Sequence, residues 1–433
     1  MEYQEAIDFL FPLHRFGIKP GLDRIEALLD ALDHPERRLG TIVHIAGTNG
    51  KGTVASCMAS IFQASGRKTG LFTSPHLIDF TERIRIDGRQ ISREKVARYC
   101  SLLKPTIIAQ GATFFEVTTA MAFAFFAEEG VDAAVIETGM GGRLDATNTV
   151  RADIVIIPSI GIDHTAWLGN TLREIAAEKA AIIKPGSRVY TAVQEGDGLD
   201  EIRRSAERCG AQLHQAGADA SYTVFDAQPG MFELELSLSG GEPHRLRVPL
   251  TGSFHASNVT LAVMAARSAG IDWASIETGL SRLAAVGYRA RLEKVAERPL
   301  VMLDVSHNPD GMEKSVQALV EMRGSFRSLF VMLGVAADKD AAGIIKPLQR
   351  IADVVVAVDL PSERSLSAES LGAMCVGAGF REVHVRNTAL DGLNLLFSLA
   401  APQDLILVTG SFFLAGEVAS MERFNGGFDE PGS

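Results

Sequence analysis

The run His44-Ile45-Ala46-Gly47-Thr48-Asn49-Gly50-Lys51-Gly52-Thr53 brings three glycines, one lysine and hydroxyl side chains into the spacing of an anion cradle. Glycines let backbone N–H groups turn toward an anion with no Cβ in the way. The β-rich stretch Thr41–Ile45 precedes the run, and Val54, Met58, Ile61 and Phe62 follow at helical spacing. A helix starting there adds uncompensated N–H groups and a partial positive charge. Lys51 can reach terminal phosphates, and Thr53 offers a hydroxyl to Mg²⁺. The strict P-loop pattern places Ser or Thr directly after the lysine and a glycine where Ile45 stands; here Gly52 intervenes and the nearest glycine is Gly47. The alternative is a plain glycine-rich turn with an exposed lysine, but the flanking elements favour a nucleotide site.

Other reactive side chains fall just past predicted strands, where parallel α/β sheets bind ligands. Ser74 follows Lys68–Phe72, Glu137 follows Val131–Ile136, and Asp163-His164 follows Asp153–Pro158. A hydroxyl, a carboxylate and an imidazole can hold a divalent ion that keeps positions open for phosphate. Each has a plainer reading: Ser74 as a turn hydroxyl before proline, His164 as a loop histidine, Lys179 as a solvated helix lysine. Glu137 is harder to explain away, because carboxylates are rarely buried unpaired. Downstream, Asn258 opens a helix where it could merely cap it. Asp304, in Asp304-Val305-Ser306-His307-Asn308-Pro309, could grip ribose hydroxyls or simply build a turn.

These groups need α/β scaffolding, and the chain supplies it. From residue 41 strands and helices alternate: strands at Thr41–Ala46, Val131–Ile136 and Asp153–Pro158, helices at Thr53–Ser65, Thr113–Glu129 and Thr171–Ile183. Before them, helices are expected at Tyr3–Leu10 and Leu22–Leu32, joined by the loop His14–Gly21. Residues 212–250 alternate apolar and polar side chains and read as antiparallel strands. Strands recur at Leu300–Asp304, Ser328–Leu333, Asp353–Asp359, Glu382–Val385 and Asp404–Thr409. The expected fold is α/β with two doubly wound domains: residues 1–290, a P-loop ATPase domain with a small antiparallel β patch, and residues 291–433, a Rossmann-like domain. The glycine-rich, acidic tail Asn425–Ser433 is expected to fray.

The chain has 433 residues and a net charge of −11, which disfavours a broad nucleic-acid surface but leaves room for a local anion cradle. Its four scattered cysteines form no CxxC pair, which fits a reducing cytoplasm and argues against a disulfide or zinc scaffold. No secretory signal or membrane-spanning stretch is read from the sequence.

Taken in order, HIAGTNGKGT (44–53), FTSPHL (72–77), ETGMGGRLDATN (137–148), DHTAWLGNTLREIAAEKAAIIKPG (163–186), HASN (255–258), LDVSHNP (303–309), LGVAADKD (333–340) and VTGSFFLAGEV (408–418) resemble the folylpolyglutamate synthase/dihydrofolate synthase family of the Mur-ligase superfamily. The resemblance implies ATP on Gly47, Thr48, Asn49, Gly50, Lys51, Gly52 and Thr53. It implies two Mg²⁺ ions, with Ser74, Glu137 and His164 as ligands of the second. It implies a carbamylated Lys179, and nucleotide contacts from Asn258 to the base, Arg291 to phosphates and Asp304 to ribose. His307 and Ser411 match positions near the incoming glutamate and the nucleotide. Lys19, Gly21, Asp23 and Arg24, with Phe115 and Asp145, resemble a pteroate pocket. The implied activity is ATP-dependent joining of L-glutamate to dihydropteroate or reduced folates through an acyl phosphate, by a cytoplasmic monomer without nucleic-acid or membrane partners. Another Mur-type ligase acting on a different carboxylate is the alternative. The sequence departs from the family's Trp-Pro-Gly-Arg, reading Tyr288-Arg289-Ala290-Arg291, and from its Gln after the histidine near 255, where Ala256 stands. Thr53 replaces a common Ser.

Overall fold

The computed structural model describes residues 1–16, 19–362 and 364–424. Gly17 and Ile18 of the expected first loop, and the tail expected to fray, lie outside the described residues.

The first sheet has strands β1 (Thr41–Ile45), β2 (Thr69–Phe72), β3 (Ile84–Ile86), β4 (Arg89–Gln90), β5 (Ala133–Glu137), β6 (Ile154–Ile157), β7 (Arg188–Thr191) and β8 (Gln212–Gln215). Their order is β4-β3-β2-β5-β1-β6-β7-β8, parallel except for the β3–β4 hairpin at one edge. β1 lies between β5 and β6, so the loops after these three strands meet at one carboxyl edge.

Successive side chains of a strand point to opposite faces, and the core divides accordingly. Ile42, Ala134, Ile136, Val155 and Ile157 pack into one apolar cluster, whereas Val43, Ile45, Val135, Ile154 and Ile156 pack into another. The helix Phe114–Glu129 closes the first face and is buried nearly all round, as its apolar sequence predicts. The helix Lys51–Ala64 closes the second, with helices His255–Ser268 and Trp273–Ser281 beyond it. A three-stranded antiparallel sheet, β9 (Ala220–Gln228), β10 (Met231–Leu238) and β11 (His244–Val248), covers the end of this face through Phe232, Leu234 and Leu236.

The third sheet contains β12 (Glu293–Glu297), β13 (Leu300–Leu303), β14 (Leu329–Leu333), β15 (Val354–Val358), β16 (Glu382–Arg386) and β17 (Leu405–Thr409), ordered β12-β13-β17-β14-β15-β16. Only β12 is antiparallel. The valine-rich β15 is buried throughout, as a central parallel strand with helices on both sides requires.

The architecture matches the expected α/β fold, with local differences. Residues 212–215 do not begin the antiparallel patch: β8 pairs in parallel with β7, and the patch starts at Ala220. An edge strand of a parallel sheet also alternates, so periodicity alone could not separate the two. The helix expected to run to Ile183 stops at Ala180. Helix Arg93–Gln110 was hidden by Pro105 within it. The β3–β4 hairpin turns on Asp87 and Gly88, both at positive φ (49° and 80°), the Asp-Gly signature of a two-residue turn.

At Gly279 helix Trp273–Ser281 meets helix Lys51–Ala64 backbone to backbone. A Cβ there would lie 2.5 Å from Ile61 Cα, and the Ser60 hydroxyl donates to the Gly279 carbonyl at 2.6 Å. Gly279→Ala should therefore force the helices apart and lower the unfolding free energy by about 1–3 kcal/mol, measured by denaturant titration.

Candidate functional site

The loop after β1 turns through Gly50, at φ +88°, which N-caps helix Lys51–Ala64. Its backbone is braced from the β6 edge. Thr48 N–H donates to the Ser159 carbonyl at 3.0 Å, Asn49 N–H donates to Ser159 Oγ at 2.9 Å, and Gly161 N–H donates to Thr48 Oγ1 at 2.9 Å.

Two ammonium groups converge on one oxygen of this loop. Lys51 Nζ donates to the Gly47 carbonyl at 2.9 Å and to that of Thr48 at 3.3 Å; Lys179 Nζ donates to the same Gly47 carbonyl at 3.1 Å. Lys179 is 4% exposed, so it is no solvated helix lysine. Burial foremost, and then the charge of Lys51, pull its ammonium down to about 7. A neutral amine fraction near neutral pH is what addition of CO₂ requires, so Lys179 fits the carbamate that the resemblance implies.

Two other side chains press on the loop where it lacks Cβ atoms. A Cβ on Gly50 would lie 2.4 Å from Asn258 Oδ1, and one on Gly52 would lie 2.5 Å from Arg291 Nη2. Gly52, the residue that departs from the strict P-loop pattern, thus makes room for a guanidinium. Its presence also moves the following hydroxyl about 100° around the helix. Thr53 is 1% exposed and its Oγ1 meets the Tyr288 hydroxyl at 3.2 Å. This contact ties the hydroxyl to the segment joining the two large sheets.

Glu137 ends β5, is 3% exposed, and accepts the Ser74 N–H at 3.1 Å through Oε2. Burial raises its carboxyl pKa, opposed by Lys51, Arg291, the Ser74 N–H and Arg83. Ser74, Glu137, Tyr288, Arg291 and Phe412 line one cleft. His164 lies at the β6 edge in a left-handed backbone conformation (φ 50°), and burial lowers its pKa. Among the described residues no group of three His, Cys, Asp or Glu side chains is arranged to hold a metal. His164 is not among the residues that line the cleft with Ser74 and Glu137. The hard oxygen donors of Ser74 and Glu137 suit Mg²⁺.

The third sheet faces the same loop. Asp304, after β13, is 3% exposed; its Oδ2 accepts from Ser306 N–H (3.3 Å), Ser315 Oγ (3.0 Å) and Thr409 Oγ1 (3.1 Å). Burial raises its pKa. His307 Nδ1 bonds to the Val305 carbonyl at 2.9 Å, and its ring lies 5.6 Å from that of Phe412. Ser411 caps helix Phe412–Ala419 by accepting from Phe413 N–H at 3.1 Å. Sequence reasoning named Asn49 but passed over Asn308 and Asp310, the partners through which it bridges the sheets. Asn49 Nδ2 donates to Asp310 Oδ2 at 2.6 Å, and Asn308 Nδ2 donates to Asn49 Oδ1 at 3.3 Å. Around Arg291 the backbone takes positive φ at Ala290 (54°) and Leu292 (48°).

The expected pteroate pocket is partly committed to internal bonds. Arg24 pairs with Glu116 at 2.9 Å and donates to the Lys19 carbonyl, while Lys19 Nζ donates to the Gly111 carbonyl at 3.1 Å. Asp145 accepts from Thr147 N–H and Oγ1 through one oxygen and from Met140 N–H through the other, bracing the loop after β5. Gly21 takes φ +127°, and Asp23, itself exposed, starts the helix Asp23–Asp30. Phe115 packs against Phe72 and occupies the space a Cβ on Gly139 would need.

Comparison with known proteins gives a consistent picture. Residues 45–266 match the Mur ligase middle domain and residues 290–412 the Mur ligase glutamate ligase domain. A dihydrofolate synthase/folylpolyglutamate synthase of Bacillus subtilis (strain 168) is 33% identical, over 96% of this chain and 98% of that protein. A solved Escherichia coli FolC, in complex with DHPP and ADP, is 29% identical with a TM-score of 0.85, covering 95% of this chain and 96% of that one. A bifunctional folylpolyglutamate synthase/dihydrofolate synthase of Yersinia pestis, complexed with AMPPNP and a Mn ion, is 27% identical with a TM-score of 0.85, covering 97% and 98%.

Two outcomes follow from the geometry. Gly52→Ala should drive a methyl into Arg291 and weaken ADP binding at least about tenfold by calorimetry while the fold persists. The unfolded chain keeps the Lys179 proton to about pH 10, whereas the folded chain releases it near 7. Folding is therefore penalised below about pH 7, and the penalty fades as pH rises toward 10. In bicarbonate-free buffer Lys179→Met should gain thermal stability over the wild type at about pH 6 and lose that advantage near pH 10.

Proposed function

The chain belongs to the dihydrofolate synthase/folylpolyglutamate synthase family of Mur ligases, and from that premise we propose that it uses ATP to join L-glutamate to dihydropteroate, to the glutamate tail of reduced folates, or to both. The observation that carries the reading is the convergence of Lys51 and Lys179 on the Gly47 carbonyl, with Arg291 against Gly52 and Glu137 across the cleft.

A carboxylate resists amide formation because its charge repels nucleophiles and oxide is a poor leaving group. Attack of the carboxylate on the γ-phosphate of ATP expels ADP and forms an acyl phosphate; the glutamate amine then displaces phosphate. Lys51 and the loop N–H groups stabilise charge on the transferring phosphoryl group. Arg291 offsets the charge of the phosphates, Asn258 contacts the base and Asp304 the ribose. Thr53, Ser74, Glu137 and His164 would hold the divalent ions, which would supply further charge neutralisation when bound. His307 and Ser411 border the incoming glutamate. Lys19, Gly21, Asp23, Arg24, Phe115 and Asp145 frame the pteroate end. The division between domains falls near Ala290, a reading supported by the change of sheet between β11 and β12. Closure of the domains protects an acyl phosphate from water. We take the protein to act as a monomer in the cytoplasm; no helix among the described residues is long and apolar enough to cross a membrane.

The test is ADP formation with and without dihydropteroate and L-glutamate. Full turnover that needs both acceptors supports the ligase; turnover with one acceptor indicates a kinase, and turnover with neither a simple nucleotidase. Lys51→Ala should cut glutamate-dependent ADP formation roughly 100-fold or more, and near-normal turnover would refute the assignment.

A further inference from the structure

Arg83 is a buried cation to which the mechanism above gives no role. It ends the turn Phe80–Arg83 and is 6% exposed. Its Nε donates to His76 Nδ1 at 2.7 Å, and its guanidinium lies over the Phe114 ring, 5.1 Å from the centroid. Neither partner is an anion, and Arg83 forms no ion pair among the described residues. The nearby carboxylates are engaged elsewhere. Glu82 accepts from the N–H groups of Leu77, Ile78 and Asp79, and Glu137 accepts from that of Ser74. They act on Arg83 through space alone, opposing the burial that pulls its pKa down to about 10.

A guanidinium cannot escape burial by shedding its proton at neutral pH. A buried charge with no counter-ion costs several kcal/mol. A fold that keeps one holds a site for an anion, and the planar fork selects carboxylate or phosphate. The surroundings narrow the choice. Thr73 N–H donates to the Arg83 carbonyl at 3.0 Å, so Arg83 borders the same strand-end loop whose Ser74 holds Glu137. The other wall is aromatic: Phe114 packs on Phe80 and Phe11, and Phe11, 41% exposed, stacks on His76 at 6.2 Å. A flat apolar wall ending in a guanidinium suits an aryl carboxylate better than a phosphate.

We propose that Arg83, oriented by His76, binds the carboxylate of the acid substrate beside Glu137. This rests on the ligase reading and adds a subsite to it. The acid and the γ-phosphate are both anions, and a fixed cation between the aromatic wall and the phosphate loop offsets their repulsion as they meet. The side chain makes no covalent bond; it holds the attacking oxygen in place.

The test uses the full chain with dihydropteroate as probe. Arg83→Met keeps the volume and removes the charge. It should raise the KM for dihydropteroate roughly 10- to 100-fold, leave the KM for ATP within about twofold, and melt no lower than the wild type without ligand, since an unpaired buried cation is gone. Arg83→Lys keeps the charge without the fork and should fall between; it is the measure to use should the Met variant fail to fold. A variant that melts lower yet keeps the wild-type KM for dihydropteroate would make Arg83 a packing residue and overturn the proposal. Equal loss of ATP and acid binding would overturn it too. Wild-type protein that turns over no acid at all would instead remove the ligase reading beneath it.

Discussion

Crowding of positive charge at one sheet edge is the constraint on which the rest of the molecule depends. Lys51 and Lys179 share a single carbonyl oxygen, and the Arg291 guanidinium rests where Gly52 has no side chain. Like charges held this closely disfavour one another, and the Lys179 ammonium, depressed first by burial, is depressed further by the charge of Lys51. The arrangement is comfortable only with anions among these groups. Phosphates, the Glu137 carboxylate and a carbamate on Lys179 would each relieve it. Affinity for a polyphosphate is thus built into the unliganded fold.

The sheets make this crowding possible. Because β1 lies between β5 and β6, three successive loops are delivered to one edge without any long excursion of chain. The residues that must not move are buried: Glu137, Lys179 and Asp304 are all less than 5% exposed. The groups left more open, His164 and Asn49, belong to loops that meet the second lobe.

Much of this was legible in the sequence. Strands such as Val354–Val358 announce themselves because a doubly covered parallel strand is apolar throughout. The phosphate loop was legible because glycine at positive φ has few substitutes. Other features were hidden for identifiable reasons. β8 alternates like an antiparallel strand because it lies at an edge, and Pro105 disguises a helix. The orientation of Thr53 depends on one inserted glycine, whose effect appears only once the helix is wound. Lys179 looked solvated by composition and is buried by tertiary packing. Arg83 and the Asn49–Asp310 bond have no motif: each gains meaning from a neighbour remote in sequence or from the lack of a counter-ion, and no linear pattern encodes that.

The backbone on either side of Arg291 adopts a conformation that side chains with a Cβ disfavour by roughly 1–2 kcal/mol per residue. Ala290 and Leu292 therefore act like a wound spring at the joint. Twisting either residue into ordinary geometry would release that tension while drawing the guanidinium off the glycine. Both residues are fully buried, Leu292 in one apolar cluster of the third sheet and Ala290 in the other, so packing on two sides keeps that tension in place.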